Sequence, residues 1–194
     1  MREIIKLFLI VAIFSAVAGL ALAYVQDATK EQIEQQEIKY VKGPAIKALF
    51  EGCTNDPMTD RKKLKDGDKE IDIFIGEFDG KKDVIAFEAH GKGYDGDIGV
   101  LVGFDLRTDE LLGMRVTTQT ETPGVGARST TDTAFISQFK GMSVDTGFKV
   151  KADGGDIDAI SGATITSRGV GAAIESSVDT YKRLKDEIIK TIQG

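Results

Sequence analysis

The chain of 194 residues holds one cysteine, Cys53, and one histidine, His90. A single cysteine closes no internal disulfide. Without Cys-x-x-Cys-His or a cysteine cluster there is no attachment for haem or for an iron–sulfur or zinc site. Nothing basic adjoins Cys53 to lower its pKa, so it reads as an inert thiol. His90 stands alone, and no metal ligand is expected. The net charge is −6, a balance that argues against a nucleic-acid partner. No Gly-x-Gly-x-x-Gly opens a helix, so direct oxidation of a nicotinamide dinucleotide by this chain alone is not expected. Paired catalytic carboxylates and a Ser-His-Asp set are missing too, and no catalytic residue is assigned. A redox role, if the chain has one, falls to an organic cofactor.

What is present begins with a membrane signal. Met1 to Lys6 is a short charged start, and the eighteen residues from Leu7 to Tyr24 carry no charge. That length is close to the minimum that crosses the hydrocarbon core of a bilayer. Arg2 and Lys6 precede the span and Asp27 follows it. By the positive-inside tendency the N-terminus stays in the cytoplasm and the rest is exported. A retained anchor is the expectation, because the apolar run is longer than a usual signal core. A cleaved signal peptide is the competing reading, since Ala21-Leu22-Ala23 has the small-x-small form of a cleavage site. Both readings put the remainder outside the cytoplasm.

After the anchor (residues 1–26) the chain divides into a helical stalk and loop (27–69) and a folded domain (70–194). Ile33, Ile38, Val41, Ile46 and Leu49 recur at mixed helical spacing, and Gly43-Pro44 is expected to break or restart that helix. Glu51 to Gly67 is polar and reads as a loop, its charged run from Asp60 to Lys65 as a solvated face. From Glu70 the hydrophobic period becomes two. Ile71, Ile73 and Ile75 alternate, Asp79-Gly80 is a hairpin turn signal, and Val84 to Ala89 is the partner strand. Ile98 to Phe104 is apolar enough to be central, and Leu111 to Thr118 is a fourth strand. A four-stranded antiparallel meander followed by helices is an α+β arrangement. A short helix is expected over Thr130 to Phe139 and a strand over Phe148 to Lys151. After Ser167, apolar residues at Val170, Ala173, Ile174, Val178, Tyr181, Leu184 and Ile188 mark the clearest helix in the chain.

Two polar stretches carry the chemistry. Asp158-Ala-Ile-Ser-Gly-Ala-Thr-Ile-Thr-Ser167 leads into that last helix. Unpaired amides at a helix start suit a phosphate, and Ser161, Thr164, Thr166 and Ser167 bring hydroxyls there. The plainer alternative is that Thr166 or Ser167 only caps the helix. The second stretch is Gln119 to Arg128, where Pro123-Gly124 and Gly126 let backbone approach a flat ligand closely. An ordinary turn explains those glycines equally well.

Asp158-x-x-Ser161-Gly162-Ala163-Thr164 resembles the flavinylation motif of a family of FMN-binding domains. Its members include the G subunit of the Rnf ion-translocating ferredoxin:NAD oxidoreductase and the C subunit of the sodium-pumping NADH:quinone reductase. Glu121-Thr-Pro-Gly-Val-Gly126, Gly91-x-Gly-Tyr-x-Gly96 and Gln138-Phe-x-Gly141 resemble further signatures of that domain, in the family's order. The region from Asp27 to Lys69 matches no pattern of the family.

The resemblance implies a single N-terminal transmembrane helix followed by an antiparallel-sheet FMN-binding domain with flanking helices. It implies FMN bound covalently by a phosphoester to Thr164, with Ser161, Gly162 and Ala163 beside it. Asp158 would be read by a modifying flavin transferase. Thr166 and Ser167 are expected near the phosphate, and Glu121, Thr122, Gly124 and Gly126 along the flavin. Arg168 reads as a solvated arginine or as a phosphate or partner contact. The implied protein is a single-pass component of the cytoplasmic membrane with its domain on the outer side, relaying electrons among the other subunits of an Rnf-type complex. The short chain fits the G subunit better than the usually longer C subunit. An anchored binding or assembly module without a cofactor remains the alternative from another class, and a flavin domain serving a different reductase or a sensor is a third.

Overall fold

A computed structural model describes residues 1–67 and 69–193, the side chain of Gln193 excepted. The chain forms two units, Met1–Lys39 and Tyr40–Gly194.

The first unit is built on helix α1, Arg2–Gln36, none of whose residues is buried. An 18-residue window of this helical region has a mean hydropathy of 2.5, long and apolar enough to cross a membrane. Glu37–Lys42 is a π-helical stretch. Helix α2, Gly43–Leu49, then starts at the Gly-Pro pair, with Pro44 in its first turn. A proline there lacks only an N–H that the helix start leaves unpaired anyway, so the pair restarts the helix.

The second unit is organised on an antiparallel sheet of five strands in sequence order. They are β1 (Arg61–Asp66), β2 (Lys69–Phe78), β3 (Lys81–Lys92), β4 (Asp97–Asp105) and β5 (Glu110–Thr118). The last four are the expected meander. Strand β1 replaces part of the loop expected over Glu51–Gly67. Leu64 is its one apolar residue, and it pairs with Ile71 across the ladder. A charged strand of this kind belongs at a sheet edge, where lysines oppose pairing with other chains.

Helix α4, Thr164–Gln193, covers one face of the sheet. Ile85, Phe87, Val100, Val102, Phe104 and Met114 meet Val170, Ala173, Ile174 and Tyr181 in one core. Phe104 stacks on Tyr181 at 4.5 Å and on Phe87 at 5.3 Å. On the opposite face Leu49 of α2 lies against Gly103 and Gly113. Both faces of β4 are therefore covered, which is why it reads as one apolar run.

The expected helix over Thr130–Phe139 is a 3-10 turn, Gly126–Thr130, followed by α3, Thr133–Ser137. Asp132 caps α3 by accepting from the Phe135 N–H at 3.1 Å. The expected strand over Phe148–Lys151 is reduced to a single parallel bridge, Val150 to Ile157, closed by a 3-10 turn at Lys151–Asp153. That bridge delivers the chain to the polar stretch before α4.

Candidate functional site

The start of α4 is set by three local features. Gly162 adopts φ +79, a left-handed conformation that bends the chain into the helix at little steric cost. The Ala163 N–H donates to the Ile160 carbonyl at 2.9 Å, and the Ser167 N–H to the Ala163 carbonyl at 3.0 Å. The latter is the first helical bond, so the amides of Thr164, Ile165 and Thr166 have no helical acceptor behind them. Their partial positive charge is what favours an anion there.

The hydroxyls around this turn divide sharply. Ser167 is fully buried; its Oγ accepts from the Ile160 N–H and donates to the Ala163 carbonyl, both at 3.0 Å. Thr166 is buried and donates to Glu121 Oε2. Both residues, expected beside a phosphate, are turned into the protein. The Thr164 side chain is half-buried, and among the described residues its hydroxyl has no hydrogen-bond partner.

Glu121 is only 4 % exposed. Besides Thr166 it binds the Asp95 N–H, which donates to Oε1 at 3.0 Å. One carboxylate thus joins the Gly93–Gly96 turn, the Glu121–Gly126 loop and the first turn of α4. Gly126 makes room for it: a Cβ there would stand 2.6 Å from both Glu121 Oε2 and Thr166 Oγ1. A buried carboxyl group demands such partners.

These three segments enclose a cavity of about 420 Å3, within the usual range for a small-molecule site. Of the expected residues, Glu121, Thr122, Gly126, Gly162, Ala163, Thr164 and Thr166 line it. Gly124, at φ +75, belongs to the adjoining turn and is not on the wall. Three wall residues were not singled out from the sequence: Tyr94 (71 % exposed), Val125 (41 %) and Ile165 (46 %). They converge from separate segments, and large apolar side chains held in water at one place mark a binding surface. Tyr94 sits in the glycine-dense Gly91–Gly96 stretch, the one signal that could have pointed to it.

Ser161 and Asp158 lie on a neighbouring cleft. The Asp158 carboxylate is exposed and meets Lys151 Nζ at 2.8 Å. Arg168 forms a two-pronged pair with Asp153, at 2.6 and 2.7 Å. The guanidinium holds the Asp153 carboxyl below its usual range. Arg168 is thereby engaged at the surface rather than aimed into the cavity.

Amides and a hydroxyl without partners among the described residues, together with an apolar wall, suit a ligand that is phosphate at one end and flat and aromatic at the other. FMN has that shape, and residues 93–179 match the FMN-binding domain family. The protein is thus one with an FMN-binding domain and a helix able to cross a membrane. The relatives narrow the class. The G subunit of the ion-translocating oxidoreductase complex of Cereibacter sphaeroides is 33 % identical over 188 residues, covering 93 % of this chain and 85 % of that one. Its namesake in Vibrio vulnificus is 32 % identical over 196 residues (93 % and 90 %). The one in Methanosarcina acetivorans is 32 % identical over 181 residues (92 % and 94 %). The chain belongs to this family of G subunits. The crystal structure of the C subunit of the Na(+)-translocating NADH-quinone reductase from Parabacteroides distasonis aligns with 58 % of this chain and 61 % of its own, at 29 % identity and a TM-score of 0.49.

Proposed function

We propose that the chain is the membrane-anchored electron-transfer component of an Rnf-type ion-translocating oxidoreductase complex, carrying FMN covalently on Thr164. One observation carries the assignment of the acceptor. Of the three hydroxyls in the first turn of α4, those of Thr166 and Ser167 are engaged inward, and that of Thr164 has no partner among the described residues. It stands at the rim of the cavity, beside the free amides of its own turn.

Thr164 Oγ1 would form the bond to the FMN phosphorus. A simple phosphate is a poor electrophile, so the donor is an activated FMN in which that phosphate is half of a pyrophosphate, as in flavin adenine dinucleotide. The pyrophosphate P–O bond breaks, the nucleoside monophosphate leaves with the electron pair, and the hydroxyl proton passes to a base of the flavin transferase. The Thr164, Ile165 and Thr166 amides would then hold the phosphate oxygens. Tyr94, Val125 and Ile165 would flank the ring and shield it from water. Bound FMN supplies one- or two-electron transfer, and the protein supplies position and electrostatics.

A tether suits a carrier working away from the cell's flavin pool. Arg2 and Lys6 before the apolar span support a cytoplasmic N-terminus and a domain on the outer side of the membrane. The other subunits of the complex are the partners this reading implies.

The test is Thr164→Ala, coexpressed with a flavin transferase. The variant should stay folded and lose the flavin fluorescence that survives denaturation. Undiminished fluorescence on denatured Thr164→Ala would move the acceptor elsewhere and overturn the assignment.

A further inference from the structure

We propose that Gln138 is a positioning residue for the covalent modification of Thr164, one that holds Asp158 outward for the flavin transferase to read. The inference rests on the assignment of Thr164 as the flavin acceptor.

Gly162 divides the motif between two surfaces. Gly162, Ala163 and Thr164 face the cavity described above. Asp158 to Ser161 face a separate cleft of about 250 Å3, whose other wall is Asp132 with Ala134, Phe135 and Gln138. The acceptor and the motif's charged end therefore point into different spaces.

Across that cleft the Gln138 side chain pairs with the Asp158 backbone in both directions. The Asp158 N–H donates to Gln138 Oε1 at 2.7 Å, and Gln138 Nε2 donates to the Asp158 carbonyl at 3.1 Å. A primary amide is well suited to this, because it offers donor and acceptor in one plane. Both backbone polar groups of Asp158 are thereby satisfied, and its carboxylate is left 67 % exposed. Lys151 is its one ionic partner among the described residues, and an exposed pair of this kind exchanges readily with a partner's cation. Gln138 is itself held firmly. It follows the end of α3 between Phe135 and Phe139, both buried in the core and packed edge to face at 5.4 Å. The core thus fixes α3, α3 fixes Gln138, and Gln138 fixes the outward aspartate.

An enzyme that must bring FMN to Thr164 recognises what stands on the surface beside it. Freeing Asp158 from Gln138 lets the carboxylate wander, and this weakens the encounter. It leaves Thr164 Oγ1 and its amides as they were, because they lie beyond Gly162. The effect belongs in KM for the protein substrate and not in kcat.

The experiment uses the full chain in detergent, a purified flavin transferase and flavin adenine dinucleotide, and measures covalent flavin incorporation against concentration of the chain. Gln138→Met keeps the volume of the side chain and removes both hydrogen bonds to Asp158, together with the long one from Nε2 to the Phe135 carbonyl at 3.4 Å; Gln138→Ala removes the packing as well. Both should raise KM about three- to tenfold, the cost of ordering one freed side chain at an interface, with kcat within about twofold. Adding Gln138→Met to Asp158→Ala should cost no more than about twofold beyond Asp158→Ala alone, because the two residues act as one unit. An unchanged KM in Gln138→Met, or a fall in kcat alone, overturns the role of Gln138. Wild-type chain that takes no flavin from an active transferase overturns the Thr164 assignment and this inference with it.

Discussion

The buried Glu121 carboxylate accepts the Thr166 hydroxyl, linking residues 45 positions apart across the mouth of the cavity. The bond turns Thr166 inward and leaves its neighbour two residues back as the hydroxyl at the rim. Glu121→Ala would leave the buried Thr166 hydroxyl without its acceptor, while the N–H of the exposed Asp95 turns to water. A loss of about 1–3 kcal/mol is expected, the cost of one orphaned buried group. Urea unfolding of the two proteins measures it, and a change below about 0.5 kcal/mol would contradict the clasp.

Gly126 is the residue that admits this clasp. Gly126→Ala should push Glu121 away from Thr166, because the new Cβ has two oxygens at 2.6 Å. Destabilisation of about 1–3 kcal/mol, typical of overpacking, is expected together with slower flavin incorporation. Wild-type stability and incorporation in this variant would show that the loop yields without consequence.

At the far end of α4, Tyr181 donates to Asp109 Oδ1 at 2.5 Å, and Lys185 Nζ reaches both Asp109 oxygens at 2.5 and 2.7 Å. Lys185 first, and then the Tyr181 hydroxyl, hold the Asp109 carboxyl below its usual range. A lowered carboxyl pKa contributes stability that is present above the unfolded value, about 3.9, and is lost as pH falls below it. Burial first, and then Asp109, push the Tyr181 hydroxyl well above its ordinary value of about 10. That contribution is present below pH about 10 and is lost as pH rises above it. Stability should therefore fall at both extremes, and Tyr181→Phe should lack this tyrosine's share of the alkaline fall while keeping the ring stack on Phe104. Urea midpoints taken against pH for both proteins decide it; parallel losses above pH about 10 would contradict the assignment.

Phe104 lies between the rings of Phe87 and Tyr181 in the core under α4. Phe104→Ala should destabilise the domain by about 3–5 kcal/mol, the cost of a cavity of that size. Thermal unfolding measures the effect, and a shift of only a degree or two would mean that the core collapses around the gap.

Much of this fold was legible in the residues. The alternation from Ile71 to Ile75, the Asp79-Gly80 turn and the apolar run of β4 specify the sheet because each strand's pattern reports how its faces are covered. The spacing from Val170 to Ile188 specifies α4 for the same reason. Strand β1 was not legible: Arg61-Lys-Lys-Leu-Lys65 has a single apolar residue, and only its pairing with β2 makes it a strand. At the cavity, the lining was legible in part: Glu121, Thr122, Gly126, Gly162, Ala163, Thr164 and Thr166 are on it, Ser161 lies on the neighbouring cleft, and the apolar wall was not legible. Tyr94, Val125 and Ile165 come from three segments that only the folded sheet brings together. Nor could the sequence tell which hydroxyls turn inward, since that depends on Glu121 and on the Ile160 amide reaching the first turn of α4.

Covalent flavin on Thr164 is tested most directly by the intact mass of the full chain after expression with an active flavin transferase, followed by peptide mapping. The expected result is one added FMN that survives denaturation, on the peptide holding Thr164. An unmodified mass, with the transferase shown active on a control protein, would contradict it.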